Sequence, residues 1–247
     1  MKVGAATDIG LSRMMNQDSY YCSSGLKAPH LYIVADGMGG HNGGEIASKT
    51  SVDTVKSFIE SCYQVSEYVN DRLLMIRDAI TKANSVVYNR SLEDQNLIGM
   101  GTTLTMALIE EGRLYIGHIG DSRMYLLRGE ECRKLTEDHS LVAQLIKNGS
   151  ISPEEGDCHP QKNVITKALG VEMTVEMDLG TEILKQGDTL LLCTDGLTNM
   201  LGLGEIIRIC SNGQDPQSIS KALIEEANIK GGKDNVTAIV VKVGCSE

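Results

Sequence analysis

The stretch that decides the fold class is Thr102-Thr103-Leu104-Thr105-Met106-Ala107-Leu108-Ile109, then Glu110-Glu111-Gly112, then Arg113-Leu114-Tyr115-Ile116-Gly117-His118-Ile119. Gly120-Asp121-Ser122 follows, then Arg123-Met124-Tyr125-Leu126-Leu127, Arg128-Gly129-Glu130 and a short return through Leu135. Apolar runs of strand length alternate with brief clusters of turn residues. Connections this short join antiparallel neighbours and leave no room for crossover helices. The middle of the chain therefore reads as a β-meander.

Helical signals lie to either side of it. Val69, Leu73, Ile76, Ile80, Ala83 and Val87 keep helical spacing and predict one helix over about 66–90. A helix starting near Glu45 carries Val52, Val55 and Ile59 on one face. Residues 3–7 and 31–35 read as strands ahead of it. Beyond the meander, 140–147 looks helical, and 148–163 is polar and rich in Gly and Pro, a loop or small lid. Residues 189–194 and 236–243 read as strands, and 203–211 and 216–229 as helices. Helices that come in groups, rather than between every pair of strands, predict an α+β fold of antiparallel sheets with helices layered outside. No internal repeat or linker divides the chain, so residues 1–247 are expected to form one domain.

Composition narrows the function. A formal charge of −10 argues against non-specific nucleic-acid binding, and any phosphate site must be made locally positive, as bound cations would do. The seven cysteines are odd in number and contain no Cys-x-x-Cys, which fits reduced thiols in a cytosol rather than a disulfide framework or zinc site. The N-terminus becomes charged too soon for a signal peptide, and no apolar run reaches the roughly 18 residues of a membrane span. The protein is expected to be soluble, cytoplasmic and monomeric.

Four carboxylates sit at the ends of apolar runs. Leu31-Tyr32-Ile33-Val34-Ala35 leads into Asp36-Gly37, and 115–120 leads into Asp121. Residues 189–194 lead into Asp195-Gly196, and Asp234-Asn235 precedes Val236-Thr237-Ala238-Ile239-Val240-Val241. Taken singly, each also reads as an ordinary turn residue. Buried strands ending this way can gather carboxylates at one rim of a sheet, where their mutual repulsion calls for a cation. All-oxygen clusters suit hard ions such as Mg²⁺ or Mn²⁺. The glycine-rich stretch after Asp36 fits neither Gly-x-x-x-x-Gly-Lys-Ser/Thr nor Gly-x-Gly-x-x-Gly, since Asn42 stands where the third glycine belongs. It reads either as a tight turn or as a close backbone approach to a metal held by Asp36.

These residues resemble the metal-dependent protein phosphatases of the PPM, or PP2C, class. The likeness runs through Thr7-Asp8-Ile9-Gly10, Arg13, Asn16-Gln17-Asp18, Val34-Ala35-Asp36-Gly37-Met38-Gly39-Gly40-His41 and Gly101-Thr102-Thr103. It continues in Gly120-Asp121-Ser122-Arg123, Leu135-Thr136-Glu137-Asp138-His139-Ser140, Cys193-Thr194-Asp195-Gly196-Leu197 and Lys233-Asp234-Asn235-Val236-Thr237. The resemblance implies a sandwich of two antiparallel sheets flanked by helices on both faces. It implies hydrolysis of phosphoserine and phosphothreonine in proteins, opposing a Ser/Thr kinase. It assigns two Mn²⁺ or Mg²⁺ ions to Asp36, the Gly37 carbonyl, Asp195 and Asp234, and a third, weaker site to Asp121 with Asp195. By the same resemblance Asp18 orients metal-bound water, Arg13 holds the substrate phosphate, and 148–163 is a flap beside the active site. Two ions sharing a water lower its pKa, aim it at phosphorus and neutralise charge on the phosphoryl oxygens.

There are departures. Met38 stands where many eukaryotic members have a His considered a general acid, and a thioether cannot donate that proton. A metal-bound water is the expected donor instead, and His41 is not taken as a substitute. Gln17 occupies a position that is often Glu, and brings no charge. His118 is expected to be packed within its strand, and His139 to be a structural hydrogen-bonding residue. Two other readings stay open: a binding module that kept the fold but lost turnover, and a phosphatase narrowed to one regulator.

Overall fold

The computed structural model describes residues 1–23 and 29–244. In chain order the elements are β1 (Lys2–Asp8), β2 (Asp18–Cys22), β3 (His30–Met38), α1 (Gly40–Cys62), α2 (Ser66–Asn70) and α3 (Arg72–Glu93). A 3-10 turn at Gln95–Leu97 leads to β4 (Gly101–Thr102), β5 (Leu104–Glu110), β6 (Arg113–Ile119), β7 (Arg123–Arg128) and β8 (Glu131–Lys134). Next come α4 (Leu141–Lys147), α5 (Pro153–Asp157), β9 (Asp178–Ile183), β10 (Thr189–Cys193), α6 (Asp195–Thr198), α7 (Leu203–Cys210), α8 (Pro216–Ile229) and β11 (Val236–Lys242).

One sheet has the order β1-β11-β10-β7-β8, the other β2-β3-β5-β6-β9 with β4 beside β3. Every pairing is antiparallel. Leu190, Leu192, Ile239 and Val241 from the first sheet meet Tyr32, Val34, Ala107 and Ile109 from the second. The intervening residues face outward under helices. Leu191, Cys193, Ala238 and Val240 lie under α7 and α8. Leu31, Ile33 and Ala35 lie under α1 and α3. Burial on both faces explains why these strands read as unbroken apolar runs rather than alternating ones. The result is the α+β sandwich expected, helices on both faces.

The structure differs from the sequence reading in particular places. The meander is not one sheet: β6 belongs to one sheet and β7 to the other. The Gly120-Asp121-Ser122 segment is therefore a crossing between layers, and Gly120 makes it with φ of 103°. The 66–90 helix is two helices. Asp71 breaks it, with an extended backbone and a side chain that accepts from Leu74 N at 2.9 Å to cap α3. Val69 consequently leaves the buried stripe and stands exposed, while Met75 and Ala79 join it. α1 begins at Gly40, not near Glu45. The glycine-rich stretch is its first turn, and a Cβ on Gly37 would sit 2.1 Å from the Gly44 carbonyl oxygen. These glycines let the helix lie directly on the end of β3. The six described cysteines are all free, and Cys245 lies outside the described residues.

His118 is packed in β6, as expected, and buried among groups that fix its proton. Its Nε2 donates to the Glu137 carbonyl at 2.8 Å, so its Nδ1 accepts from the Thr105 hydroxyl at 2.8 Å. Burial, then the neighbouring His139, lowers its pKa to about 4. A histidine depressed in the folded state contributes its full stability above about pH 6.5 and loses it as pH falls through about 4. The shift corresponds to a contribution on the order of 3 kcal/mol. Chemical denaturation of wild type and His118→Gln across that window should show a steeper fall for wild type. Parallel slopes would contradict a neutral buried His118.

Candidate metal centre

The antiparallel registers carry five aspartates to one end of the sandwich. Asp18 opens β2 directly opposite Asp36 near the end of β3. Asp121 lies in the crossing between β6 and β7. Asp195 is the first residue of α6, immediately beyond β10, and Asp234 precedes β11, the neighbour of β10. Side chains Asp36 and Asp195 lie within hydrogen-bonding reach of one another. The sequence-predicted acidic residues thus come together, and they do so from both sheets.

Each is held by a specific set of neighbours. Asp36 N donates to Thr103 Oγ1 at 2.8 Å, and its carbonyl accepts from Thr102 Oγ1 at 2.8 Å. Thr103 also bonds Ser122 at 2.8 Å, tying β3 to the crossing that carries Asp121. His139 braces that crossing: Gly120 N donates to its Nδ1 at 3.1 Å, and its own N–H donates to the Gly120 carbonyl at 2.8 Å. This is the structural role expected of it. Arg123 grips Asp138 at 2.7 Å beside the same loop. Asp195 Oδ2 accepts from Asn199 at 2.9 Å. Asp18 Oδ2 accepts from Thr194 Oγ1 at 2.9 Å and Thr237 Oγ1 at 2.7 Å.

The Arg13 loop is fastened by a residue that sequence reasoning passed over. Asn235 is buried, and its Nδ2 donates to the Ile9 and Met15 carbonyls at 2.9 Å each. Its Oδ1 accepts from Gln17 N at 2.8 Å. The signal was present in Asp234-Asn235, read only for its carboxylate. Arg13 itself lies on Asp234 Oδ2 at 2.8 Å, and Asp234 Oδ1 accepts from Asn235 N at 2.8 Å. Gly37 N donates to the Gln17 carbonyl at 3.1 Å, so Gly37 is placed beside Asp18 as well as Asp36. The side chain of His41 lies outside the described residues.

Electrostatics show what the cluster lacks. Burial raises Asp18 to about 7 against the pull of its two threonines, and the charges of Asp195 and Asp234 add to the rise. Burial, then Asp18, Asp195 and Asp121, pushes Asp36 well above the carboxylate range. Burial, then Asp195, takes Asp121 to about 7, and Asp195 is raised by burial and by Asp234. Carboxylates this close cannot all ionise without a counter-charge. Three of their oxygens, Asp18 Oδ1, Asp121 Oδ1 and Asp195 Oδ1, are buried without a hydrogen-bond partner. Buried anionic oxygens without donors fit cations. Among the described residues no three His, Cys, Asp or Glu side chains close around one point as a finished ligand shell. Small hard ions keep several waters and take few protein ligands each. A cleft of about 1070 Å³ opens from Asp121 and Asp195. Val142, Ile146, Lys147, Lys162, Met200 and Leu203 are among the residues that line it. The 148–163 segment contributes Gly156, Lys162 and Asn163 to the lining, and its α5 begins with a Ser152–Glu155 capping box.

A family profile described as protein phosphatase 2C matches residues 12–223. The chain belongs to that family. Protein phosphatase PhpP of Streptococcus pneumoniae is 38% identical over 250 residues, covering 98% of each chain. The crystal structure of the Mycobacterium tuberculosis serine/threonine phosphatase PstP/Ppp superposes with a TM-score of 0.89 at 36% identity, covering 99% of each chain. The catalytic domain of PstP in complex with two manganese ions gives 0.86 at 35% identity, covering 99% of this chain and 98% of that one. The enzyme class follows from membership: this is a metal-dependent serine/threonine protein phosphatase. The relatives extend the match beyond the profile to include Asp234.

Proposed function

We propose that this phosphatase hydrolyses phosphoserine and phosphothreonine in proteins by direct attack of water on phosphorus, opposing a Ser/Thr kinase. The reading rests on the three buried, unpartnered carboxylate oxygens of Asp18, Asp121 and Asp195, in a cluster whose Asp234, Asp36 and Asp195 act on Arg13. Asp36, Asp195 and Asp234, with the Gly37 carbonyl, would hold two Mn²⁺ or Mg²⁺ ions, and Asp121 with Asp195 a third. Bound there, such ions supply Lewis acidity that lowers the pKa of a shared water and neutralises phosphoryl charge. Asp18 directs its unpaired Oδ1 at the attacking water. Arg13 offers a planar donor pair to the phosphate. Residues 1–247 would act as one catalytic domain and a monomer, with 148–163 as flap. Action in the cytoplasm belongs to the same proposal; among the described residues no helix is long and apolar enough to cross a membrane.

The test is phosphate release from a phosphothreonine peptide with Mn²⁺ and then with EDTA. Release should require the metal, and release that survives EDTA would overturn the mechanism. The same assay on Arg13→Ala should raise KM about tenfold or more. Because Arg13 occupies Asp234 Oδ2, its removal should also tighten Mn²⁺ binding by calorimetry rather than weaken it. Weaker binding would mean that Arg13 supports the metal site instead of competing for it.

A further inference from the structure

The hydrogen bonds around Asp18 have a fixed direction. Thr237 N donates to Thr194 Oγ1 at 3.0 Å, so that hydroxyl accepts from the backbone and sends its own proton to Asp18 Oδ2. Thr237 Oγ1 likewise sends its proton to Asp18 Oδ2, so at its 2.7 Å contact with Thr7 it accepts. Thr7 in turn accepts from Asn16 Nδ2 at 2.9 Å. Asn16 Oδ1 accepts from Asp18 N at 3.1 Å, which closes the circuit on the residue where it ends. Thr194 and Thr237 are wholly buried; Thr237 lies in β11 of the first sheet and Thr194 directly follows β10 of the same sheet, whereas Asp18 belongs to the second. The clamp therefore spans the sandwich.

We propose that Thr194 and Thr237 are positioning residues for the reaction: together they occupy Asp18 Oδ2 and so turn Oδ1 toward the attacking water. The proposal rests on the role given to Asp18 under the function above. A carboxylate oxygen with two directed hydroxyl donors has its lone pairs committed, and the carboxylate plane can no longer rotate. The other oxygen, Oδ1, is buried without a protein partner and is left for the reacting water. The chain ends on the Asn16 amide, which takes up no proton at neutral pH, so it orients Asp18 and does not relay protons. It also ties Asp18 to the Arg13 loop, because Asn16 touches both. Hydroxyls are required for this, not merely β-branched bulk, and that separates orientation from packing.

The test is steady-state kinetics on a phosphothreonine peptide with Mn²⁺, with Mn²⁺ affinity measured separately by calorimetry. Thr194→Val and Thr237→Val keep the shape and remove the hydroxyl. Each should lower kcat about ten- to hundredfold, the effect of losing one hydrogen bond to a charged group, with KM and Mn²⁺ affinity within about twofold. Thr194→Ser and Thr237→Ser, which keep the donor, should recover most of kcat. Where a valine variant does not fold, its serine counterpart against alanine at the same position gives the same comparison. Unchanged kcat in the valine variants, with Asp18→Asn inactive, would overturn the clamp while leaving the role of Asp18 intact. Full activity of Asp18→Asn would overturn the role of Asp18 itself. A valine variant that loses kcat together with Mn²⁺ affinity would assign these threonines to metal-site assembly instead, and a serine variant as impaired as valine would assign them to packing.

Discussion

Asp36→Asn should abolish turnover while leaving the metal-free protein at least as stable as wild type. Asp36 touches Asp195, stands opposite Asp18 in register and lies near Asp121. Three of the other four aspartates of the cluster act on it. An amide of the same shape can still donate to Asp195, so packing is retained, but it carries no charge for a cation. Phosphate release at saturating Mn²⁺ should fall on the order of 10³-fold, in line with removing a principal electrostatic element. The sign on stability runs the other way. A carboxylate raised on folding favours the native state below the usual carboxylate range and loses that contribution as pH rises through its folded value. Metal-free wild type at pH 8 therefore carries a burden that the variant lacks, and the variant's Tm in EDTA should equal or exceed it. Excess Mn²⁺ should then lift wild type by about 2.7 kcal/mol at a hundred times Kd, and leave the variant nearly unmoved. A variant that keeps the Mn²⁺ shift in Tm would place the ions elsewhere.

The parts of this molecule that were legible in the sequence were those whose physics is local. Asp36 and Asp195 sit where a doubly buried apolar run stops and Asp234 just before one starts, and a carboxylate at the end of an apolar run is visible along one segment. α8 reads well because Asp215 caps it, Pro216 opens it and Ile219, Leu223, Ile224 and Ala227 form one buried face. β9 is different. It is the edge of its sheet, Leu179 and Ile183 are exposed, and its sequence Asp178-Leu179-Gly180-Thr181-Glu182-Ile183 has little apolar pattern to detect. The change of sheet between β6 and β7 was invisible for another reason. A hairpin turn and a crossing between layers both need a glycine and a polar pair, and only packing decides between them. The threonine clamp joins residues 18, 194 and 237 through long-range contacts, so its members looked like ordinary strand-end threonines.

Gly196→Ala should be nearly as damaging as removing a carboxylate, although it removes no functional group. A Cβ at this position would lie 2.0 Å from the Asn235 carbonyl oxygen, 3.0 Å from its carbon and 3.4 Å from Val236 Cα. Asn235 cannot retreat: its side chain is pinned by Ile9, Met15 and Gln17, and β11 is paired on both sides, to β10 and β1. The movable partner is α6, which is four residues long and carries Asp195 at its first position. Relief of the clash must therefore part Asp195 from Asp234, the two residues that this close approach sets side by side. A displacement of about 1 Å at a catalytic site can cost on the order of 10²-fold in rate, and overpacking typically costs about 1–3 kcal/mol in stability. Weaker Mn²⁺ binding should accompany both. Gly204→Ala is the matched control. It lies in α7 with open space around its Cβ, and should leave kcat unchanged while stabilising the protein by about 0.5–1 kcal/mol. Wild-type kinetics and Mn²⁺ affinity for Gly196→Ala would show that the second Asp-Gly pair is only a turn. Loss of activity with both aspartates intact would show that the metal centre depends on how closely two backbones can approach, which is what glycine after the aspartate supplies at Asp36 and again at Asp195.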